Sequence, residues 1–306
     1  MPFCATSRFA KCRRSGYAPL RAVMRRRLFS GSAVALAFCV GCSAPSTVGP
    51  SQTSEPPIVW EPGSWTIVWR DEFDGPAGQA PDGAHWSHEI GGNGWGNQEL
   101  QYYTDSTSNT ALDGEGNLVI TAREEKFMAN SYTSGRLTTK AIFERAYGRF
   151  EARMKLVDGA GLWPSFWMMG SNVDDVGWPA AGEIDVVEQR GYDVRNLWGS
   201  LHAADAAGKD VPITHGVRST DDVNANFHVF AIEWDPGNIV FLLDDEPYAQ
   251  VTTSRVPLNV KWAFDHPFFI VIDLAVGGSF GGNPNASTVM PQSIVIDYVR
   301  VSERMP

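Results

Sequence analysis

The segment GEIDVVEQRG at 182–191 carries three carboxylates, Glu183, Asp185 and Glu188, among residues that otherwise belong in a buried strand, Ile184, Val186 and Val187. Burying an unpaired charge is strongly unfavourable, so the acids must face a cleft. Side chains alternate along a strand, which puts Glu183 and Asp185 on one face and Glu188 on the other. A β-bulge at Val186-Val187 restores the phase and returns Glu188 to the face of the other two. The two glutamates then stand roughly 13 Å apart at Cα, at about 3.3 Å per residue. Side chains leaning together close this to about 5–5.5 Å between carboxyl groups, the separation used for double displacement at a glycosidic bond.

Charge assigns the roles. Three carboxylates on one face cannot all ionise easily, so at least one pKa rises. The raised group serves as general acid on the glycosidic oxygen and an ionised one as nucleophile. Asp185, shorter and between them, is placed to share a proton or hydrogen bond and keep the pair in opposite protonation states. A solvated acidic strand face or a calcium site explains acids at i and i+2 alone. The third acid inside apolar flanks rejects both.

The chain has 306 residues, 43% hydrophobic and 20% charged, which is ordinary for a folded protein and excludes disorder throughout. Its formal net charge of −10 argues against nucleic acid or an anionic membrane as partner of the body of the protein, and 11 tryptophans favour a neutral, partly apolar ligand. At the N-terminus, Arg25, Arg26 and Arg27 precede LFSGSAVALAFCV, too short for a stable bilayer span, then Gly41-Cys42 and the polar run SAPSTVGPSQTSEPP. This is the pattern of a bacterial lipoprotein signal over 1–41, with Cys42 as the lipidated residue and 42–59 as a Ser/Pro-rich linker. Arg26-Arg27-Leu28-Phe29 also resembles part of a twin-arginine signal, and Met24 is a candidate start. The expected location is outside the cytoplasm, tethered to a membrane only through that lipid or secreted. The four cysteines, Cys4, Cys12, Cys39 and Cys42, all lie in this segment, so the rest of the chain folds without disulfides.

The elements that must hold the acids are strands. Arg149–Leu156 alternates without exception, Phe150, Ala152, Met154 and Leu156 against Arg149, Glu151, Arg153 and Lys155, which predicts one buried and one wet face. Further strands are expected at WTIVWRDEF, GNLVITAR, GRLTTKAIF, SFWMMG, EIDVVEQ, FHVFAIEW, NIVFLLD, FFIVIDLAV and SIVIDYVRV, separated by turns such as Asp235-Pro236-Gly237-Asn238. No helical periodicity is sustained. One all-β domain, a sandwich or barrel over 60–304, follows. Sugar clefts present aromatic faces to pyranose C–H groups, and Trp163 and Trp167, four apart on one strand face, Trp178 just before the acids, and Trp95 in a Gly-rich loop fit that use. Trp60, Trp65, Trp69, Trp234 and Trp262 are structural or undecided. GGSFGGNP at 277–284 is a turn near the cleft rim, without the features of a phosphate loop.

GEIDVVE resembles the active-site strand of glycoside hydrolase family 16, in the bulged form of bacterial laminarinases (endo-1,3-β-glucanases). GGNGWGNQELQYYT, SGRLTTKAIF, GLWPSFWMMG, GWPAAGEIDVVE, FHVFAIEWDPGNIVFLLDDEPY, DLAVGGSFGGNP and MPQSIVIDYVRV resemble family segments in the same order, from Trp69 to Val301. The resemblance implies an all-β jelly-roll β-sandwich, concanavalin A-like, with a concave cleft for a β-1,3-glucan or mixed-linkage β-glucan polysaccharide and without a catalytic cofactor; a monomer is expected. By the same resemblance Glu183 is the nucleophile, Asp185 the assisting acid and Glu188 the acid/base, and His202 orients a catalytic carboxylate. Asn93, Asn97 and Arg136 fix sugar hydroxyls, although Arg136 fits a surface ion pair equally well. A structural calcium away from the cleft would use Glu72 or Gly116 together with Asp297. Typical laminarinases carry His at Trp198 and Asn at Asp273, and HAADAAGKDVPITHG departs from the usual loop. The competing readings are a galactan hydrolase or transglycosylase of the same family, and a glucan-binding protein without catalysis.

Overall fold

A computed structural model describes residues 57–306; Cys42 and the signal and linker readings around it lie outside the described residues. The first strands are β1 (Trp65–Asp71), β2 (Ser87–His88), β3 (Gln101–Tyr103), β4 (Thr110–Leu112), β5 (Leu118–Phe127) and β6 (Asn130–Ser134). Then come β7 (Arg136–Thr138), β8 (Gly148–Lys155), β9 (Leu162–Gly170), β10 (Glu183–Gln189), β11 (Asn196–Ala204) and β12 (Asp210–Arg218). The last are β13 (His228–Asp235), β14 (Asn238–Leu243), β15 (Glu246–Thr252), β16 (Phe268–Val276) and β17 (Gln292–Arg304). Two four-residue helices, α1 (Val173–Val176) and α2 (Gly278–Gly281), sit in loops.

The strands form two sheets. One runs β15-β14-β13-β8-β17-β5-β6-β3, with β1 on β17 and β4 on β5; the other runs β12-β11-β10-β9-β16-β7-β2. Alternation along each strand sends one set of side chains into the space between the sheets. Phe150, Ala152 and Met154 from β8 meet Phe166 and Met168 from β9, Ile184 from β10, and Trp234 from β13, all fully buried. β16 shows why a strand of the second sheet reads as a continuous apolar run. Phe268, Ile270, Ile272, Leu274 and Val276 enter the main core, while Phe269 and Val271 belong to a separate cluster with Met169 and Ala181 on the opposite face. That opposite face is the cleft, and Asp273 shares it by parity.

The polar face of β8 corrects the expectation of a wet surface. Arg149 is buried, its guanidinium bonded to Glu151 (2.7 Å), Glu233 (3.2 Å) and Asp245 (2.5 Å), and Trp60 Nε1 donates to Glu233 at 2.6 Å. The charges neutralise one another, so the segment carrying Trp60 can cover them. GRLTTKAIF yields only the three residues of β7, because the chain turns after Thr138 and Ala141 adopts φ 61°. β11 and β12 were not expected as strands. Gly199, Ser200, His202, Pro212 and Gly216 dilute the apolar pattern, and one face of each points into the cleft.

Candidate active site

β10 carries the bulge that the spacing requires. Against β11 the register runs Glu183 to His202 and Asp185 to Ser200, then slips so that Glu188 faces Trp198. Against β9 it slips between Asp185 and Val187. Val186 and Val187 are both buried, and the extra residue turns Glu188 to the side of Glu183 and Asp185. All three acids line one cavity of about 410 Å³, together with Trp95, Asn97, Arg136, Trp163, Trp167 and Trp178. Trp163 and Trp167 share the cleft face of β9, and Trp178 is 50% exposed.

Two of the expected site residues stand outside the cavity wall. Asn93 is exposed and lies outside the cavity wall; its Oδ1 accepts the Trp95 N–H at 3.2 Å and so shapes the loop that presents Trp95. His202 also lies outside the wall and touches the acids, the position of a residue that orients a carboxylate. Its Nε2 is 3.3 Å from Asp185 Oδ2 and 4.0 Å from Glu183 Oε1, and its Nδ1 is 3.0 Å from Asp210 Oδ2. Burial disfavours the imidazolium, but the bond and charge of Asp185, the charge of Glu183 and the bond to Asp210 hold its pKa up at about 10. His202 is therefore a fixed positive charge at neutral pH, placed nearer Glu183 than Glu188.

That placement separates the two glutamates. Burial raises both, and Asp185 raises both further. Glu183 is drawn back down by His202, Arg136 and the Trp178 indole. Glu188 additionally feels the charge of Glu183, and against that repulsion it has His202 and the Trp163 indole, whose Nε1 donates to Glu188 Oε1 at 3.0 Å. Glu188 is the more strongly raised and keeps its proton, while Glu183 ionises first. Charge crowding alone required only that one carboxylate be raised; the unequal surroundings of the two suit Glu188 to the acid and Glu183 to the nucleophile.

Replacing Asp185 by Asn tests this electrostatic account. Its repulsion outranks the counter-pull of His202 on both glutamates, so both pKa values fall. The alkaline limb of kcat/KM, set by loss of the Glu188 proton, and the acid limb, set by protonation of Glu183, should both move to lower pH. The turnover number should drop while KM changes little. A profile measured from pH 4 to pH 10 with unmoved limbs, or a defect in KM alone, would reduce Asp185 to a sugar contact.

Beyond Glu183 lies a polar floor that the sequence reading missed. Glu99 Oε2 accepts from Gln101 Nε2 at 2.6 Å and lies 3.2 Å from Tyr103 Oη, which donates to Asp273 Oδ2 at 2.8 Å. Asp273 Oδ1 accepts the Trp167 Nε1–H at 2.7 Å, so the carboxylate fixes the tilt of a cleft tryptophan. Burial raises the pKa of both acids, and the charge of Asp273 lifts Glu99 further. Arg136 holds its guanidinium carbon 4.5 Å from the Trp95 ring centre and 4.7 Å from that of Trp167 while bonding Glu89. It is both an ion pair and a cleft residue. The signal for this floor was the period-two run Glu99, Gln101, Tyr103; Asp273 had its parity in FFIVIDLAV and its departure from the family's Asn.

At the suggested calcium position, both carboxylate oxygens of Glu72 accept from Arg300 at 2.8 Å, and Asp297 Oδ2 bonds Arg153 Nη1 at 2.5 Å. The Glu72 side chain is thus engaged by a guanidinium. Of the residues expected to hold calcium, Asp297 Oδ1 and the Gly116 carbonyl take no part in those bonds.

An acid pair held by a bulge in a tryptophan-walled cleft of a two-sheet β-sandwich defines a carbohydrate-cleaving enzyme. The family model described as Glycosyl hydrolases family 16 matches residues 96–300. The chain is 36% identical over 289 residues to a beta-glucanase of Rhodothermus marinus, covering 92% of this chain and 96% of that one. It is 41% identical to a glucan endo-1,3-beta-glucosidase of Cryptopygus antarcticus over 72% of this chain and 84% of the other. The laminarinase catalytic domain of Thermotoga maritima superposes with a TM-score of 0.72 at 38% identity, over 79% of this chain and 99% of that one. The chain belongs to glycosyl hydrolases family 16.

Proposed function

We propose that the protein is a retaining endo-β-1,3-glucanase acting on laminarin-like polysaccharide. The observation that carries this is the bulged β10, which brings Glu183, Asp185 and Glu188 to one cavity walled by Trp95, Trp163, Trp167 and Trp178. Relatives named for β-1,3-glucan support the substrate. In the first step Glu183 attacks the anomeric carbon, the glycosidic bond breaks, and Glu188 gives its proton to the departing oxygen. In the second, Glu188 takes a proton from water, the water oxygen bonds to the same carbon, and Glu183 leaves. The anomeric configuration is inverted twice and so retained. No cofactor takes part. Incubation with laminarin should release reducing ends from internal cleavage, seen as a ladder of oligosaccharides. Binding without any release would leave only a glucan-binding protein.

The lipoprotein reading remains part of the proposal and rests on the Arg25–Cys42 pattern alone. Among the described residues no helix is long and apolar enough to cross a membrane. Cys42→Ser should move the protein from the membrane fraction to the soluble exported fraction with its activity intact, since a multiply acylated cysteine anchors stably. Wild-type protein that is already soluble in a lipoprotein-processing bacterium would refute the anchor. A structural calcium held by Asp297 and main-chain carbonyls is proposed on the same footing. Calcium should raise the melting temperature of chelator-treated protein, and Asp297→Ala should remove the rise. An unmoved transition would dismiss the ion.

A further inference from the structure

Next to the acid/base lies an aromatic group outside the cavity wall described above. Trp198 sits directly opposite Glu188 in the β10–β11 register, on the cleft face, and is half-buried. Phe280, in α2, meets it edge-on at 5.4 Å and 90°, and also packs on Trp163 at 5.2 Å. Trp163 in turn bonds Glu188 and lines the cavity, so the group continues the catalytic cleft. Arg190, two residues after Glu188, places its guanidinium 4.7 Å from the Trp198 ring centre and 4.4 Å from that of Phe280. Two aromatic contacts orient this cation, and among the described residues no carboxylate pairs with it. Its N–H groups are thus available to a ligand.

The neighbour on the far side is as telling. Trp198 pairs with Gly216 of β12, an exposed residue. A Cβ there would meet Trp198 Nε1 at 3.7 Å, an ordinary contact, so a larger side chain would lie across the indole. Glycine leaves that edge of the ring open.

We infer that Trp198, Phe280 and Arg190 form the binding platform for the sugar on the leaving-group side of the scissile bond. The inference rests on the glycosidase reading. A general acid protonates the oxygen that departs, so the departing sugar must lie against whatever surrounds Glu188. An indole offers a flat apolar face to pyranose C–H groups, and a planar guanidinium offers donors to the hydroxyls at the ring's edge. The ligand is a neutral glucosyl unit.

Two substrates separate this from mere support of Glu188. Laminarihexaose places a sugar on the platform; an aryl β-laminaribioside puts only a phenol there. Trp198→Ala should lower kcat/KM on the hexasaccharide by about tenfold, the loss of one well-packed contact, with a several-fold smaller loss on the aryl substrate. Trp198→Phe should recover most of it. Gly216→Val should reproduce the defect by covering the ring while leaving every platform residue in place. Equal losses on both substrates, or none on either, would overturn the inference. Should the wild type cleave neither substrate, the activity reading fails instead. Calorimetric titration of laminarihexaose into Glu183→Gln protein, with and without Trp198→Ala, then decides the platform, and unchanged affinity would reject it.

Discussion

Glu183→Gly protein should hydrolyse a β-1,3-glucan about 10⁴-fold more slowly than wild type or worse, and azide should restore turnover by a different product. Removing the side chain deletes the nucleophile but leaves Glu188 with its Trp163 bond, so the acid still protonates the departing oxygen. Azide enters the vacated space and attacks the anomeric carbon once. A single displacement inverts the centre, so the product is the α-glycosyl azide, detectable by proton NMR. Losing Glu183 also removes one of the charges that raise Glu188, so the alkaline limb of the rescued reaction should lie at lower pH than in wild type. A Gly variant with near-wild-type turnover, or a rescue product of β configuration, would place the nucleophile elsewhere.

Glu188→Ala should give the complementary pattern. Turnover on glucan should fall by about 10³-fold, because an alkoxide leaving group now departs unprotonated. An aryl glycoside with a nitrophenolate leaving group needs no proton, so its first step should be nearly unaffected and the glycosyl-enzyme should accumulate. The second step lacks its base, and water attacks slowly. Azide, which needs no base, should speed breakdown and yield the β-glycosyl azide, since two displacements retain configuration. The alkaline limb should vanish from the pH profile of the variant. A glutamate that showed the α product here and the β product at position 183 would exchange the two roles.

These outcomes depend on an asymmetry between two carboxylates with the same flanking chemistry. Both are buried and both feel Asp185. The difference comes from β11 and β12: His202 stands opposite Glu183, not Glu188, and Asp210 holds its ring from the next strand. The segment after His202, which departs from the family pattern, therefore adds a bond that helps Asp185 and Glu183 hold the pKa of His202 up. Polarity in this active site is a property of the strand order as much as of β10.

What the sequence determined by itself was whatever repeats at short range. A strand has period two, so the faces of β8, β9 and β16 and the need for a bulge at Val186-Val187 follow from neighbouring residues. The acids, their spacing and the shared face of Trp163 and Trp167 were legible on that basis; Trp95 and Trp178, which lie in loops, also line the cavity. The tertiary structure decided which faces meet. Trp167 and Asp273 are 106 residues apart and Tyr103 and Asp273 are 170 apart, yet each pair shares a hydrogen bond. Arg149 looked solvated until Glu233 and Asp245 arrived on it from β13 and the turn after β14. That Asn93 holds the backbone of Trp95 emerged only from the fold of its loop. Trp198 was only a departure from a pattern until register set it against Glu188. Local alternation tells a side chain which way to point, but its partner is chosen by strand pairing across the sheet, and that pairing has no local signal.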